Sequence, residues 1–158
     1  MALSHKGISR SALILRSYSR IVTRRFVEHT AELELELESD SAEGALEEAL
    51  LAFAELVGQG ERDSGDGEPG EPTEHRIDLE GRDLPSVLAS WLEELVFLSD
   101  TEGLVPEDAD LRLDGLRLTG VVRGRRGSPR PIVKAVTLHR LRFGPCDGVW
   151  RGRVVLDV

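Results

Sequence analysis

From Arg25 to Glu38 the chain alternates strictly, with Ala31, Leu33, Leu35 and Leu37 on one side and Glu28, Thr30, Glu32, Glu34, Glu36 and Glu38 on the other. A period of two belongs to a strand with one buried and one wet face, whereas a helix would scatter these leucines around its circumference. A half-buried strand needs neighbours along its edges and an apolar cover for its leucines. The rest of the chain has to provide both.

Two segments have the pattern of covering helices. Asp40 and Glu43 form a candidate capping box, after which Ala45, Leu46, Ala49, Leu50, Phe53, Leu56 and Val57 recur at helical spacing up to Gly58. Asp83 is a candidate N-cap with Pro85 in the first turn. Leu84, Val87, Leu88, Trp91, Leu92, Leu95, Val96 and Leu98 then make a broad apolar face that Gly103 can end. Residues 58–74 between them are rich in Gly, Pro, Asp and Glu and lack large apolar side chains, which predicts a mobile acidic surface loop. That loop is not a domain boundary, because neither half alone carries enough apolar surface for a core.

The remaining segments read as strands. His75 to Glu80 alternates with Ile77 and Leu79 inward, and Leu111–Asp114 and Leu116–Arg123 flank an Asp114-Gly115 hairpin signal. A loop from Gly124 to Pro131 follows, in an arginine cluster of Arg123, Arg125, Arg126 and Arg130. Ile132–Phe143 and Val149–Val158 are then joined by a Gly-Pro-Cys-Asp-Gly turn. The order β-α-β-α-β-β-β-β predicts an α+β domain, a two-layer sandwich of two helices packed on a mostly antiparallel sheet.

Composition narrows the function. At 158 residues and 40% hydrophobic content the chain suits one domain. Its apolar runs, such as Ala12 to Leu15, are far shorter than the roughly 20 residues a membrane span needs. The net charge is −9, yet residues 1–25 hold six basic residues and no acid, which leaves 14 bases against 29 acids, or −15, for the remainder. So acidic a body argues against direct binding of nucleic acid. Residues 1–25 are set apart from the fold as a basic, disordered extension, with a transit peptide and a basic arm for RNA or an acidic partner as the other readings. The domain is assigned to residues 26–158. A single cysteine, Cys146, excludes an internal disulfide and any cysteine-rich zinc site, and points to a reducing cytoplasm. No phosphate-binding loop, dinucleotide fingerprint, nucleophile elbow or zincin helix is present, so neither a catalytic residue nor an organic cofactor is assigned.

Several short motifs together resemble the archease family. They are Glu28-His29-Thr30-Ala31-Glu32, the Leu84–Leu98 segment with its Trp-Leu-x-Glu-Leu centre, Thr101-Glu102-Gly103, Lys134-Ala135-Val136-Thr137-x-His139 and the closing Val155-Leu156-Asp157-Val158. Each is short, but their number, order and position make the combination specific, and it runs from about Phe26 to the last residue. The resemblance implies an accessory protein of an RtcB-type RNA ligase in tRNA splicing or RNA repair, which promotes guanylylation of the ligase and its repeated turnover. It implies contact with RNA only through that ligase, and a bound divalent cation. The family's first-strand motif ends in Asp where this chain has Glu32, its penultimate Asp matches Asp157, and its motif lysine matches Lys134.

On their own chemistry the same residues allow two readings. Asp157 falls on one side of the last strand with Arg151, Arg153 and Val155, opposite Trp150, Val154, Leu156 and Val158. It is either a solvated strand-end carboxylate or, with Glu32 and the terminal carboxylate of Val158, an all-oxygen site suited to Ca²⁺, Mg²⁺ or Mn²⁺. The longer Glu32 moves its carboxylate by roughly 1.5 Å relative to Asp, the length of one added C–C bond. Lys134 is one of only two lysines in a chain whose other basic residues are arginine. It is a point charge for a phosphate or a carboxylate cluster, or an edge-strand lysine that discourages aggregation. His29 and His139 are functional candidates through the resemblance and structural hydrogen-bonding groups otherwise. Glu34, Glu36 and Glu38 are the wet face of a strand or a docking surface for a basic partner.

The leading expectation is therefore a non-enzymatic ligase activator with a cation site. The alternatives are a metal-dependent phosphoesterase, with Glu32 and Asp157 as ligands and His29 or His139 as base, and a structural module whose metal site has decayed.

Overall fold

The computed structural model describes residues 22–27, 30–58 and 69–158. Two antiparallel strands, β1 (Val22–Val27) and β2 (Thr30–Ser39), occupy the alternating segment, with Val27 opposite Thr30. The single alternating strand expected over 25–38 is instead two paired strands, the register setting Val27 against Thr30. Val22 to Arg25, grouped by charge with the basic extension, belong to β1; residues 1–21 lie outside the described residues, as do 59–68 of the acidic loop.

Helix α1 (Ala42–Gly58) starts one residue later than the expected cap allows. The Ser41 hydroxyl accepts the Gly44 amide at 3.0 Å, so Ser41, not Asp40, caps the helix. Glu43 is freed from any capping box and bonds elsewhere, its Oε1 accepting the Leu113 amide at 3.0 Å. Strand β3 (Pro72–Glu80) begins before His75, shortening the expected loop. Helix α2 (Leu84–Glu102) has the anticipated ends. Asp83 accepts the Ser86 amide at 2.9 Å while the Ser86 hydroxyl accepts the Asp83 amide at 3.1 Å, and Gly103 closes the helix with φ 66°, a left-handed conformation that glycine adopts without a Cβ clash.

Four strands complete the domain: β4 (Leu104–Asp114), β5 (Arg117–Arg126), β6 (Ala135–Cys146) and β7 (Val149–Asp157). The β4–β5 turn is Gly115-Leu116, one residue beyond the expected pair, since Asp114 itself pairs with Arg117. The β6–β7 turn is Asp147-Gly148, both residues at positive φ as a type I′ hairpin requires. The arginine cluster is largely strand, not loop: Arg123 donates to Asp108 at 2.7 Å and Arg125 to Glu107 at 3.0 Å. Gly124, which suggested a loop, instead permits close approach of β4, because a Cβ there would stand 2.1 Å from the Val105 carbonyl oxygen.

The described strands form two antiparallel sheets, ordered β1-β2-β7-β6 and β3-β5-β4, so the α+β expectation holds with the strands divided between two sheets. Alternate residues Leu33, Leu35 and Leu37 of β2 enter one core with Val154 and Leu156 of β7, Ile77, Leu118 and Val122 of the second sheet, and the apolar faces of both helices. At its centre Trp91 of α2 is fully buried, and its indole N–H donates to the Leu46 carbonyl of α1 at 2.9 Å. No helix among the described residues is long and apolar enough to cross a membrane.

Where α1 meets β4, acids gather. Loss of water around the Glu47 carboxyl pushes its pKa above the ordinary 4.5, and repulsion from Asp110, Glu48, Glu43 and Asp108 adds to the rise. The folded chain thus holds this proton more tightly than the unfolded chain. Its stabilising effect is complete below pH 4.5 and is lost as pH rises through the folded-state value. Glu47→Gln should therefore raise the melting temperature at neutral pH, modestly because the residue is exposed, and flatten the decline above pH 4.5. Thermal melts across that range in low and high salt check this; an unchanged profile would refute it.

Candidate functional site

The end of β7 brings the two candidate carboxylates together. Glu32 on β2 and Asp157 on β7 are direct cross-strand partners, so their Cβ atoms stand about 4.5–5.5 Å apart on one face of the sheet. Both side chains are half-buried. The chain end is tied to the same place, the Val158 amide donating to the Ala31 carbonyl at 2.9 Å. On the other flank Asp157 pairs with Ala135, whose small side chain leaves the carboxylate uncrowded. Lys134 stands just ahead of β6, outside the strand expected to contain it, and its amide donates to the Asp157 carbonyl at 2.8 Å. Its side chain is exposed.

The side-chain donors are oxygen throughout, two carboxylates facing each other across paired strands. Such a set fits a hard divalent cation and not a soft metal. Among the described residues, no three His, Cys, Asp or Glu side chains gather at ligating positions. A cation here would need water or further oxygen ligands to complete its shell.

The histidines differ in position. His29 lies outside the described residues. His139 is exposed within an irregular stretch of β6, where Thr137 pairs with Val155 but Arg142 pairs with Arg153, so that residues 138–141 oppose only Val154. It is not in the Glu32–Asp157 row. Within the same stretch Arg140 has φ 60°, uncommon for a residue other than glycine.

Glu34 and Glu38, read from sequence as bare acids, have partners on β7. Arg153 pairs with Glu34, and Arg151 with Glu38 at 3.1 Å. Val155, assigned to the polar side, is buried there between Glu34 and Thr137 in the row flanked by the Arg153–Glu34 pair. Arg142, missed by sequence reasoning, joins these arginines through the register. Its signal is the Arg-x-Arg spacing that β6 and β7 share. Cys146 ends β6 in an exposed position, with Arg151 Nη1 4.0 Å from its sulfur, a neighbour that the sequence does not reveal.

Comparison with known proteins agrees with this architecture. The sequence profile of the archease protein family matches residues 25–158. The chain is 32% identical over 145 residues to an archease of Archaeoglobus fulgidus, covering 85% of this chain and 98% of that protein. It is 33% identical over 141 residues to one of Methanopyrus kandleri, covering 84% and 96%. Two solved structures share the fold. A solution structure of a Methanobacterium thermoautotrophicum protein has a TM-score of 0.61 at 31% identity, covering 87% of this chain and 98% of that one. The crystal structure of a Thermotoga maritima protein, described as an archease and possible chaperone, has a TM-score of 0.58 at 26% identity, covering 86% and 98%. A profile match across nearly the whole described fold, joined to relatives aligned almost end to end, places the chain in the archease family.

Proposed function

We propose that this protein is a non-catalytic activator of an RtcB-type RNA ligase in tRNA splicing or RNA repair, and that the Glu32–Asp157 pair is its working site. The observation that carries the reading is the direct cross-strand pairing of these two carboxylates beside the chain terminus, in a chain of the archease family. The pair is held by the sheet itself, so its geometry does not depend on a mobile loop. Glu32 and Asp157 would hold a Ca²⁺, Mg²⁺ or Mn²⁺ ion with the Val158 carboxylate. A divalent ion there supplies a concentrated positive charge for phosphate oxygens.

The chain's own residues do the positioning. Lys134 is anchored at Asp157 by its main chain, which leaves its exposed ammonium free to reach a phosphate or an acidic group on the ligase. Placing charged groups correctly before reaction lowers a barrier by several kcal/mol without a covalent role for the helper. The acidic domain suits a ligase whose own surface is basic enough to hold RNA.

The test is a coupled assay with purified ligase, limiting enzyme and excess broken RNA. The ligase should guanylylate faster and turn over repeatedly when this protein is added. If neither guanylylation nor turnover changes, the proposal fails. The phosphoesterase reading has no geometric support from His139, which is absent from the carboxylate row.

A further inference from the structure

Two rows along β2 from the carboxylate pair, roughly 13 Å away at strand spacing, the same sheet carries a different chemistry. A cleft of about 710 Å³ opens across β2, β7 and β6 beside the start of α2. That volume is in the range of small-molecule sites. Three guanidinium groups, those of Arg142, Arg151 and Arg153, line it against two carboxylates, those of Glu36 and Glu38. With Glu34, which pairs with Arg153, the cluster holds three arginines and three glutamates, so it is locally neutral in a domain whose remainder after residue 25 is at −15.

The arginines are not equivalent. Arg151 is engaged with Glu38, and one terminal nitrogen of Arg153 with Glu34. The Nε–H of Arg153 is buried and has no acceptor among the described residues. A buried donor without an acceptor is costly, and native structures rarely keep one unless something supplies the oxygen. Arg142 is the direct cross-strand partner of Arg153, and no ion pair engages it among the described residues. Like charges directly opposite each other destabilise a sheet. The register irregularity that ends at Arg142 sets this pairing, as bulges near binding sites re-aim side chains.

We infer that this cleft binds a small oxyanion, a phosphate or carboxylate head held between Arg142 and Arg153. An oxyanion accepts the Arg153 Nε–H and relieves the Arg142–Arg153 repulsion at once. The inference does not depend on the ligase proposal, since it concerns other residues and needs no cation.

The test is an NMR titration of the full chain with three probes: inorganic phosphate, phenyl phosphate and benzoate. Saturable binding that moves the Arg153 Nε–H signal is expected. Phosphate and carboxylate heads are distinguished by comparing phenyl phosphate with benzoate. Arg142→Gln should weaken binding about tenfold or more, the loss of a charge-assisted hydrogen-bonding partner, and Arg142→Lys should restore part of it. Absence of saturable binding at millimolar concentration overturns the inference. So does binding that leaves the Arg153 signal unmoved in the unsubstituted protein, a readout that does not require the variant to fold.

Discussion

Replacing Trp91 by Ala is expected to lower folding stability by about 3–5 kcal/mol, the range for truncating a large buried aromatic. Trp91 is fully buried where α2, α1 and the strands meet, and its indole donates to the Leu46 carbonyl at 2.9 Å. Truncation removes both the packing and the bond between the helices. Because a domain of this kind has only about 5–15 kcal/mol of net stability, the loss is about a fifth or more of the total. Trp91→Phe separates the two contributions. It keeps most of the packing and loses the hydrogen bond, so it should cost roughly 1–2 kcal/mol. Urea denaturation of both variants, read as a shift in midpoint at unchanged slope, provides the check. A loss below about 1 kcal/mol for Trp91→Ala would mean that the two helices are not joined through this side chain.

Asp157→Ala is expected to lower divalent-cation affinity by roughly 100-fold or more, beyond the 10–100-fold typical for losing an outer-sphere partner. The substitution removes one of the two side-chain carboxylates from the site. It leaves the local fold untouched, since the main-chain bonds from Lys134 to Asp157 and from Val158 to Ala31 do not involve the carboxylate. Glu32→Asp should behave differently. It withdraws the carboxylate by one methylene, roughly 1.5 Å, and should retain or tighten cation binding. Titration calorimetry with Ca²⁺ and Mn²⁺ on the three proteins distinguishes these outcomes. Equal affinities for the unsubstituted protein and Asp157→Ala would remove Asp157 from the ligand set.

Local patterns predicted α2 more closely than any other element. Its cap at Asp83, its apolar face and its stop at Gly103 are all decided within a turn of each residue. The start of α1 was less legible. Asp40 and Ser41 are both good caps, and the end of β2 at Ser39 favours the second. Glu43 fitted a capping motif in sequence but found a stronger partner, the Leu113 amide, 70 residues away.

The candidate site was partly legible for the same reason. Alternation put Glu32 on the polar side of β2 and Asp157 on that of β7, but their meeting depends on register, which no local pattern specifies. The Arg142–Arg153 pairing was less accessible still. It requires the register of β6 against β7 after four residues of one strand have faced a single residue of the other. Leu138, within that irregular stretch, is 60% exposed. Charge balance along β5 was hidden too, because Arg123 ends the expected strand and Arg125 falls in the expected loop until β4 brings Asp108 and Glu107 beside them.

The most direct measurement of the central claim is multiple-turnover ligation by an RtcB-type ligase, comparing the unsubstituted protein with Asp157→Ala at equal concentration and fixed divalent cation. Many ligations per ligase are expected with the unsubstituted protein and, with Asp157→Ala, the rate of ligase alone, both proteins having the same thermal stability. Full stimulation by folded Asp157→Ala would contradict the claim.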